Sequence, residues 1–305
     1  MTDYAVRHRT AYRYMQDVSY SRHLLHLAPR ETKTQRLAAY ELSVTPTPDQ
    51  HISRRDFFGN PVDWLAIDQP HADVEVIAES RVSALAPPAR DPAASLAWED
   101  VRARLEAPAP DARAAVPVRP GAHPGAHDVV QYMFDSPQTA FTVDLAGYAR
   151  RSFTPGRPML AAARELMSRV HADFRYDTTV TDAATPVDRV FEIRAGVCQD
   201  LAHVGIAAVR ALGLPARYVS GYLMTKPPPG SARLVGADAS HAWFAVWAPP
   251  FGWVDLDPTN DMIPGDGHIT VAWGRDYGDV APINGIVTGG GDHLIEVGVD
   301  VQPLG

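Results

Sequence analysis

The run Leu201-Ala202-His203-Val204-Gly205-Ile206-Ala207-Ala208-Val209-Arg210-Ala211-Leu212 constrains the fold more than any other part of this chain. It is apolar with helical spacing, and it stops at Gly213 with Pro215 just beyond, the expected end signal of a helix. Such a helix is buried, so other elements must cover it. Two strand-like runs follow, 241–247 and 253–257, separated by the turn Ala248-Pro249-Pro250-Phe251-Gly252. That is a hairpin with a loop longer than the tightest type. A buried helix followed by a hairpin makes this part of the chain α+β.

Cys198 is the single cysteine among 305 residues and precedes this run in Gly196-Val197-Cys198-Gln199-Asp200. It therefore falls in the first helical turn, where unpaired backbone N–H groups and the helix dipole favour a thiolate. The thiolate is the nucleophilic form, and the same N–H groups can stabilise an oxyanion formed when it attacks an amide or ester carbonyl. His241 opens the first strand of the hairpin and Asp257 closes the second, so strand pairing can bring them together. The imidazole would take the thiol proton and the carboxylate would set its tautomer. Alternation puts Asp255 and Asp257 on one face, so spacing alone does not choose between them.

Gly196-Val197-Cys198-Gln199-Asp200, Ser240-His241-Ala242-Trp243 and Trp253-Val254-Asp255-Leu256-Asp257-Pro258-Thr259-Asn260 resemble the transglutaminase-like superfamily. The likeness continues in Phe174-Arg175-Tyr176, in residues 190–198, in the helix and in Ala216-Arg217-Tyr218-Val219-Ser220-Gly221-Tyr222. Residues 268–282, running from His268-Ile269-Thr270 through Arg275-Asp276-Tyr277 to Ala281-Pro282, resemble the bacterial branch of transglutaminase-like enzymes and cysteine proteases. So does the N-terminal region, in residues 4–14, His26-Leu27-Ala28-Pro29-Arg30 and Asp56-Phe57-Phe58-Gly59-Asn60. The resemblance implies a papain-like core with a Cys-His-Asp triad. The family pattern Trp-Val-x-x-Asp-Pro-Thr-Asn lays the catalytic aspartate on Asp257, with Asp255 as runner-up. One departure is visible: many relatives carry a small residue and then a glutamate after His-Ala-Trp, and here Phe244 and Ala245 stand there. Taken singly, a lone cysteine is most often a core hydrophobe, His241 a packed strand residue and Asp257-Pro258 a strand end. Their joint occurrence in the family's order and context favours the triad.

Residues 1–83 read as an N-terminal antiparallel β domain, a sandwich or small barrel. Tyr4, Val6, His8, Thr10, Tyr12 and Tyr14 share one face, with Arg7, Arg9 and Arg13 on the other, a period of two. Further strands are expected at 36–45, 62–67 and 73–82, with a turn at Gly59-Asn60-Pro61. Residues 84–127 form an Ala/Pro-rich connecting segment with one helix at 97–105. Residues 128–305 form the catalytic domain, with a helix at 160–171 beside the one bearing Cys198.

A net charge of −8 and a pI near 5.8 argue against nucleic acid or an anionic membrane as the main partner. The start lacks a signal-peptide stretch and no run approaches transmembrane length, while one cysteine rules out an internal disulfide; the expectation is cytoplasmic. His8, His23 and His26 lack a carboxylate at a telling spacing, and His123 and His127 lie in a Pro/Gly loop, so structural or solvated roles are favoured over metal binding. His203 reads as buried and hydrogen-bonded, and Asp200 as a helix-start residue. Gln199, Tyr176, Trp243, Arg275, Asp276 and Tyr277 are candidates for substrate contact.

The expected function is cysteine-dependent amide or peptide-bond hydrolysis or acyl transfer through a thioester. The substrate is a peptide or protein with an amide or isopeptide bond, and no metal or cofactor is required. Hydrolysis is favoured because transfer demands a specific site for a second substrate. The alternatives are a transamidating protein-glutamine acyltransferase and a non-catalytic peptide-binding module. The latter would be expected to have lost a triad member.

Overall fold

The alternation at the N-terminus builds the longest strand of the protein. Tyr4, Val6, His8 and Thr10 are buried, whereas Arg7 and Arg9 stay partly exposed, and the strand β1 (Thr2–Leu25) runs on for 24 residues with an irregularity between Arg13 and Val18. The computed structural model describes residues 1–106, 126–225 and 239–304. After β1 come β2 (Gln35–Thr45), β3 (Gln50–Arg55), β4 (Pro61–Ile67) and β5 (His71–Ala84). Next are α1 (Trp98–Glu106), α2 (Ala126–Val130), α3 (Val143–Arg150), α4 (Met159–Asp173), β6 (Arg175–Tyr176), α5 (Val187–Ile193), β7 (Ala195–Gly196) and α6 (Cys198–Arg210). The chain continues with β8 (Ala216–Leu223), β9 (Ala239–Trp247), β10 (Trp253–Leu256), β11 (His268–Gly274), β12 (Ile283–Gly289) and β13 (His293–Leu304).

β1 organises a seven-stranded antiparallel sheet in the order β2-β5-β1-β4-β3, with β12 and β13 also paired to β1. β1 is shared by two halves of this sheet, residues 3–13 between β5 and β13 and residues 21–25 between β4 and β12. The halves face each other: Tyr40 of β2 donates to Asp63 of β4 at 2.9 Å, and Leu65 and Ile67 of β4 share a hydrophobic core with Val74 and Val76 of β5, the face-to-face packing that a sandwich or small barrel requires. Tyr4, Val6, Val82 and Ala84 instead join the larger core with residues of α4 and α6. The last strands also shift the boundary. β12 and β13 return from the far end of the chain to the first sheet, where Val299 and Val301 enter the shared core. The division into 1–83 and 128–305 therefore splits a single sheet between two segments. Of the connecting segment, α1 covers the expected helix; residues 107–125, with His123, and the side chain of His127 lie outside the described residues.

A second sheet of four antiparallel strands, in the order β10-β9-β8-β11, forms the other side of the core. Every residue of α6 from Gln199 to Arg210 is buried, which is what its continuous apolar run requires. Ala242, Phe244 and Val246 of β9 share the core with Val204, Ala208 and Val209 of α6. A Cβ at Gly205 would stand 2.7 Å from a ring carbon of Phe244. The glycine thus lets a phenyl ring approach the helix backbone. Leu160, Ala163, Leu166, Met167 and Val170 form the buried stripe of α4 beside α6. Each leucine so buried contributes about 1.5–3 kcal/mol. Gly213, at φ +72°, ends the α6 region in the left-handed conformation that glycine adopts without strain.

Candidate active site

Local chemistry sets where α6 begins. Asp200 Oδ2 accepts the backbone N–H of Val197 at 2.8 Å and the Thr181 hydroxyl at 2.6 Å. This is the carboxylate half of a capping box: the third helical residue reaches back to the residue before the helix. A Cβ at Gly196 would overlap the Asp200 carboxylate, so Gly196 and Asp200 fit only as a pair. Burial pushes the Asp200 carboxyl up, against the two hydrogen bonds. The result is that Cys198, partly exposed, occupies the first helical position with its N–H unpaired by the helix.

Short parallel pairing of β6 with β7, Tyr176 opposite Gly196, brings Tyr176 alongside. Its ring is 54% exposed, and burial, with the neighbouring Cys198 and Asp200, raises its phenol. Of the candidate contact residues, Tyr176 is the one held open beside the thiol.

Register decides between the two aspartates. β10 pairs with β9 so that Asp255 faces Ala245 and Leu256 faces Phe244. Asp255 is therefore level with a residue four positions from His241, roughly 13 Å along the strand. Asp257 lies two residues further toward His241 and accepts from its Nε2 at 2.8 Å, with His241 and Asp257 both buried. Oδ1 of Asp257 accepts the backbone N–H groups of Thr259 and Asn260 at 2.9 and 3.2 Å, and Oδ2 accepts the Asn260 side chain at 2.7 Å. The Asp-Pro-Thr-Asn turn thus wraps its own carboxylate in donors. Burial would raise Asp257, but the hydrogen bonds from His241 and His268 outweigh it and hold the carboxyl well below the usual range. Burial would likewise lower His241. The hydrogen bonds with Asp257 and Cys198 prevail and raise it to about 9. With Nε2 committed to Asp257, Nδ1 is the ring nitrogen left for the thiol.

His268, the first residue of β11, donates from Nε2 to the same Asp257 oxygen at 3.0 Å. No spacing rule pointed to it. The signal available was its place at the head of the family-like segment 268–282. His241, Asp257 and His268 also lie close enough to suggest a metal triad. Nδ1 of His268, however, accepts the Gly265 N–H at 3.4 Å, so the neutral ring carries its proton on Nε2, which meets Asp257 as a donor instead of offering a lone pair.

The remaining candidates are built into the framework. Trp243 is fully buried with Val219, Ala245, Trp253 and Trp273, its ring edge-on to His268 at 5.3 Å. Gln199 donates to the Ala183 carbonyl at 3.1 Å. Arg275 grips Asp279 with two bonds of 2.9 Å, and Asp276 accepts from the Gln138 and Gly278 N–H groups. Tyr277 donates its N–H to His203 Nε2 at 3.2 Å; burial lowers that histidine to about 4. Arg275 lines an open cavity of about 540 Å³ with Phe57, Phe58 and Phe134, and none of Cys198, His241 and Asp257 lines it. His8, His23 and His26 are buried and bonded to Tyr222, Ser21 and Asp56. At the departure from the family pattern, Ala245 lies between Arg217 of β8 and Asp255 of β10. The buried Arg217 guanidinium stacks on Trp273 at 3.9 Å and on Trp253 at 4.5 Å, a cation–π environment in place of a glutamate.

Residues 4–83 match the model of the bacterial transglutaminase-like N-terminal region, and residues 146–258 that of the transglutaminase-like superfamily. An uncharacterized protein of Mycobacterium tuberculosis is 38% identical over 306 residues, which span 99% of this chain and 93% of that protein. A protein-glutamine gamma-glutamyltransferase of Pseudomonas aeruginosa is 34% identical over 125 residues, 39% of this chain and 18% of that protein. In structure the chain is similar to the "Putative Cysteine Protease from Cytophaga hutchinsonii", with a TM-score of 0.72 at 20% identity, covering 100% of this chain and 91% of that one. The shared fold is a papain-like core, its Cys-bearing helix against an antiparallel sheet, preceded by a β domain.

Proposed function

Since the chain belongs to the transglutaminase-like superfamily, we propose that it is a cysteine-dependent hydrolase of amide bonds in peptides or proteins, working through a thioester on Cys198. The observation that carries this reading is the position of His241, hydrogen-bonded to Asp257 at 2.8 Å and close enough to Cys198 for the thiol to raise it. Cys198 Sγ attacks the substrate carbonyl carbon, and its proton resides on His241. The backbone N–H of Cys198, at the start of α6, donates to the developing oxyanion. As the tetrahedral intermediate collapses, the C–N bond breaks and His241 gives its proton to the leaving amine. His241 then takes a proton from water, hydroxide adds to the thioester carbonyl, and the carboxylic acid leaves as the thiolate is restored. Asp257 keeps the imidazole in the tautomer that places a proton on Nε2.

Alkylation tests the assignment directly. Iodoacetamide will label folded Cys198 faster at pH 6 than it labels glutathione, and hydrolysis of a peptide amide will fall in step with the label. With one cysteine in the chain, the label's location is unambiguous. Labelling that appears only after unfolding would mark a structural thiol and sink the reading.

A second reading, transamidation, is favoured by the partial match to the Pseudomonas aeruginosa gamma-glutamyltransferase. Both reactions share the thioester and differ in what resolves it. Millimolar primary amine will divert a minor share of product, in proportion to concentration and without saturation, because water needs no binding site and an amine does. Saturable incorporation of lysine-like amines would instead reveal an acceptor site and reverse the preference.

A further inference from the structure

Oδ2 of Asp257 receives three side-chain donors: His241 Nε2 at 2.8 Å, Asn260 Nδ2 at 2.7 Å and His268 Nε2 at 3.0 Å. The reaction as drawn uses His241, and Asn260 belongs to the same turn as Asp257. His268 has no such local reason to be there. It comes from β11, on the far edge of the sheet from β10, and its ring is buried. Its Nδ1 faces the Gly265 N–H at 3.4 Å, which fixes the proton on Nε2. Its ring stands perpendicular to that of Trp243, with centroids 5.3 Å apart.

We propose that His268 is a positioning residue for this reaction, donating to the oxygen that His241 uses and so setting how strongly Asp257 holds the His241 proton. The inference rests on the reading of Cys198, His241 and Asp257 as the reacting groups. Two effects follow from the geometry. A carboxylate clamped by His268 and Asn260 on one oxygen and by two backbone N–H groups on the other cannot rotate, so His241 is oriented through it. In addition, the positive end of the His268 N–H dipole lies against the shared oxygen. It withdraws negative potential from the side facing His241 and leaves the imidazolium acidic enough to protonate a leaving amine. The titratable groups facing His241, among the described residues, are Cys198 from α6, Asp257 from the turn after β10 and His268 from β11; Asn260 and Trp243 are uncharged.

The test compares His268→Leu, which removes the donor, with His268→Gln, whose amide N–H reaches the position of Nε2. Rates of peptide-amide hydrolysis are measured against pH and normalised to the iodoacetamide-titrated thiol, so that only folded, reactive molecules count. In the wild type His241 is raised to about 9. Its protonated, active form is present below that value, and kcat/KM falls as pH rises through it. His268→Leu will lower kcat about tenfold to a hundredfold and move this alkaline limb upward by roughly half a unit. His268→Gln will keep the wild-type limb and stay within about threefold in kcat. A tie that merely held β11 in place would lower the titrated fraction and leave the limb where it is.

An unmoved limb in His268→Leu, or an equal loss in His268→Gln, overturns the proposal. If His268→Leu yields no titratable thiol, His268→Gln decides: a wild-type limb and rate support the proposal, and a tenfold loss overturns it. Cys198→Ser separates the two levels. Residual hydrolysis in that variant refutes the triad itself, whereas an inactive Cys198→Ser with an unmoved limb in His268→Leu refutes the role of His268 alone.

Discussion

Asp257→Asn will cut kcat by about 10⁴-fold, and Asp255→Asn will change it by less than about threefold. The carboxylate of Asp257 accepts donors on both oxygens: two backbone N–H groups on Oδ1, and His241, His268 and Asn260 on Oδ2. An amide can satisfy only one of these sets. If its oxygen serves the backbone, its NH₂ meets three donors and His241 must flip to the tautomer that cannot take the Cys198 proton. Stability falls as well, by about 3 kcal/mol, because a buried acceptor for several donors is lost. The sign with pH is fixed by the depressed folded value of Asp257. Its contribution is present above the ordinary carboxylate range and disappears as pH falls through the lower folded value, so wild type and variant converge in acid. Asp255 lies opposite Ala245 and acts on the buried Arg217, with no bond to His241. Steady-state kinetics on both variants, normalised to titrated thiol, checks this. Equal losses would mean that the carboxylate has been assigned to the wrong residue.

Arg210→Met will destabilise the protein by about 3–5 kcal/mol, seen as a lower urea midpoint, yet leave kcat per titrated thiol within about threefold. Arg210 is the last residue of α6 and is 1% exposed. Its guanidinium donates to the carbonyls of Tyr132, Ala216 and Arg275 at 2.8–3.1 Å and to the hydroxyls of Ser136 and Thr139. Burial lowers it to about 10, against the pull of Asp276. Methionine fills similar space but leaves three buried carbonyls without that donor, each a desolvated acceptor. The same residue ties the end of α6 to β8 and to the loop after β11. Cys198 is twelve residues away, roughly 18 Å along the helix, which is why activity per folded molecule is spared. A midpoint within the equivalent of about 1 kcal/mol of wild type would show that the carbonyls find other donors.

Features that depend on a few consecutive residues were legible from the chain alone. The alternation of β1 and the apolar run of α6 each encode burial through their own period. The helix start at Gly196-Val197-Cys198-Gln199-Asp200 is equally local: one carboxylate caps the N–H three residues back, and one missing Cβ makes room for it. The hairpin that carries His241 and Asp257 is local too, and so are the family motifs laid along it. What periodicity left open was the choice among partners that share it. Asp255 and Asp257 have the same face; the family pattern pointed to Asp257, and the pairing of Leu256 with Phe244 is the physical reason that this residue reaches His241.

Arg275, Asp276 and Tyr277 look like a free polar cluster in one dimension. In three, Asp279, Gln138 and His203 occupy them. His268 reaches Asp257 from the opposite edge of a four-stranded sheet, and the strands at 283–304 cross the whole chain to pair with β1. Backbone hydrogen bonds between strands are the same for any pair of sequences, so a strand's period tells that it will pair and which face it will bury. Which strand it meets, and which side chains therefore converge on Asp257, is decided by how the helices and both sheets close around one core.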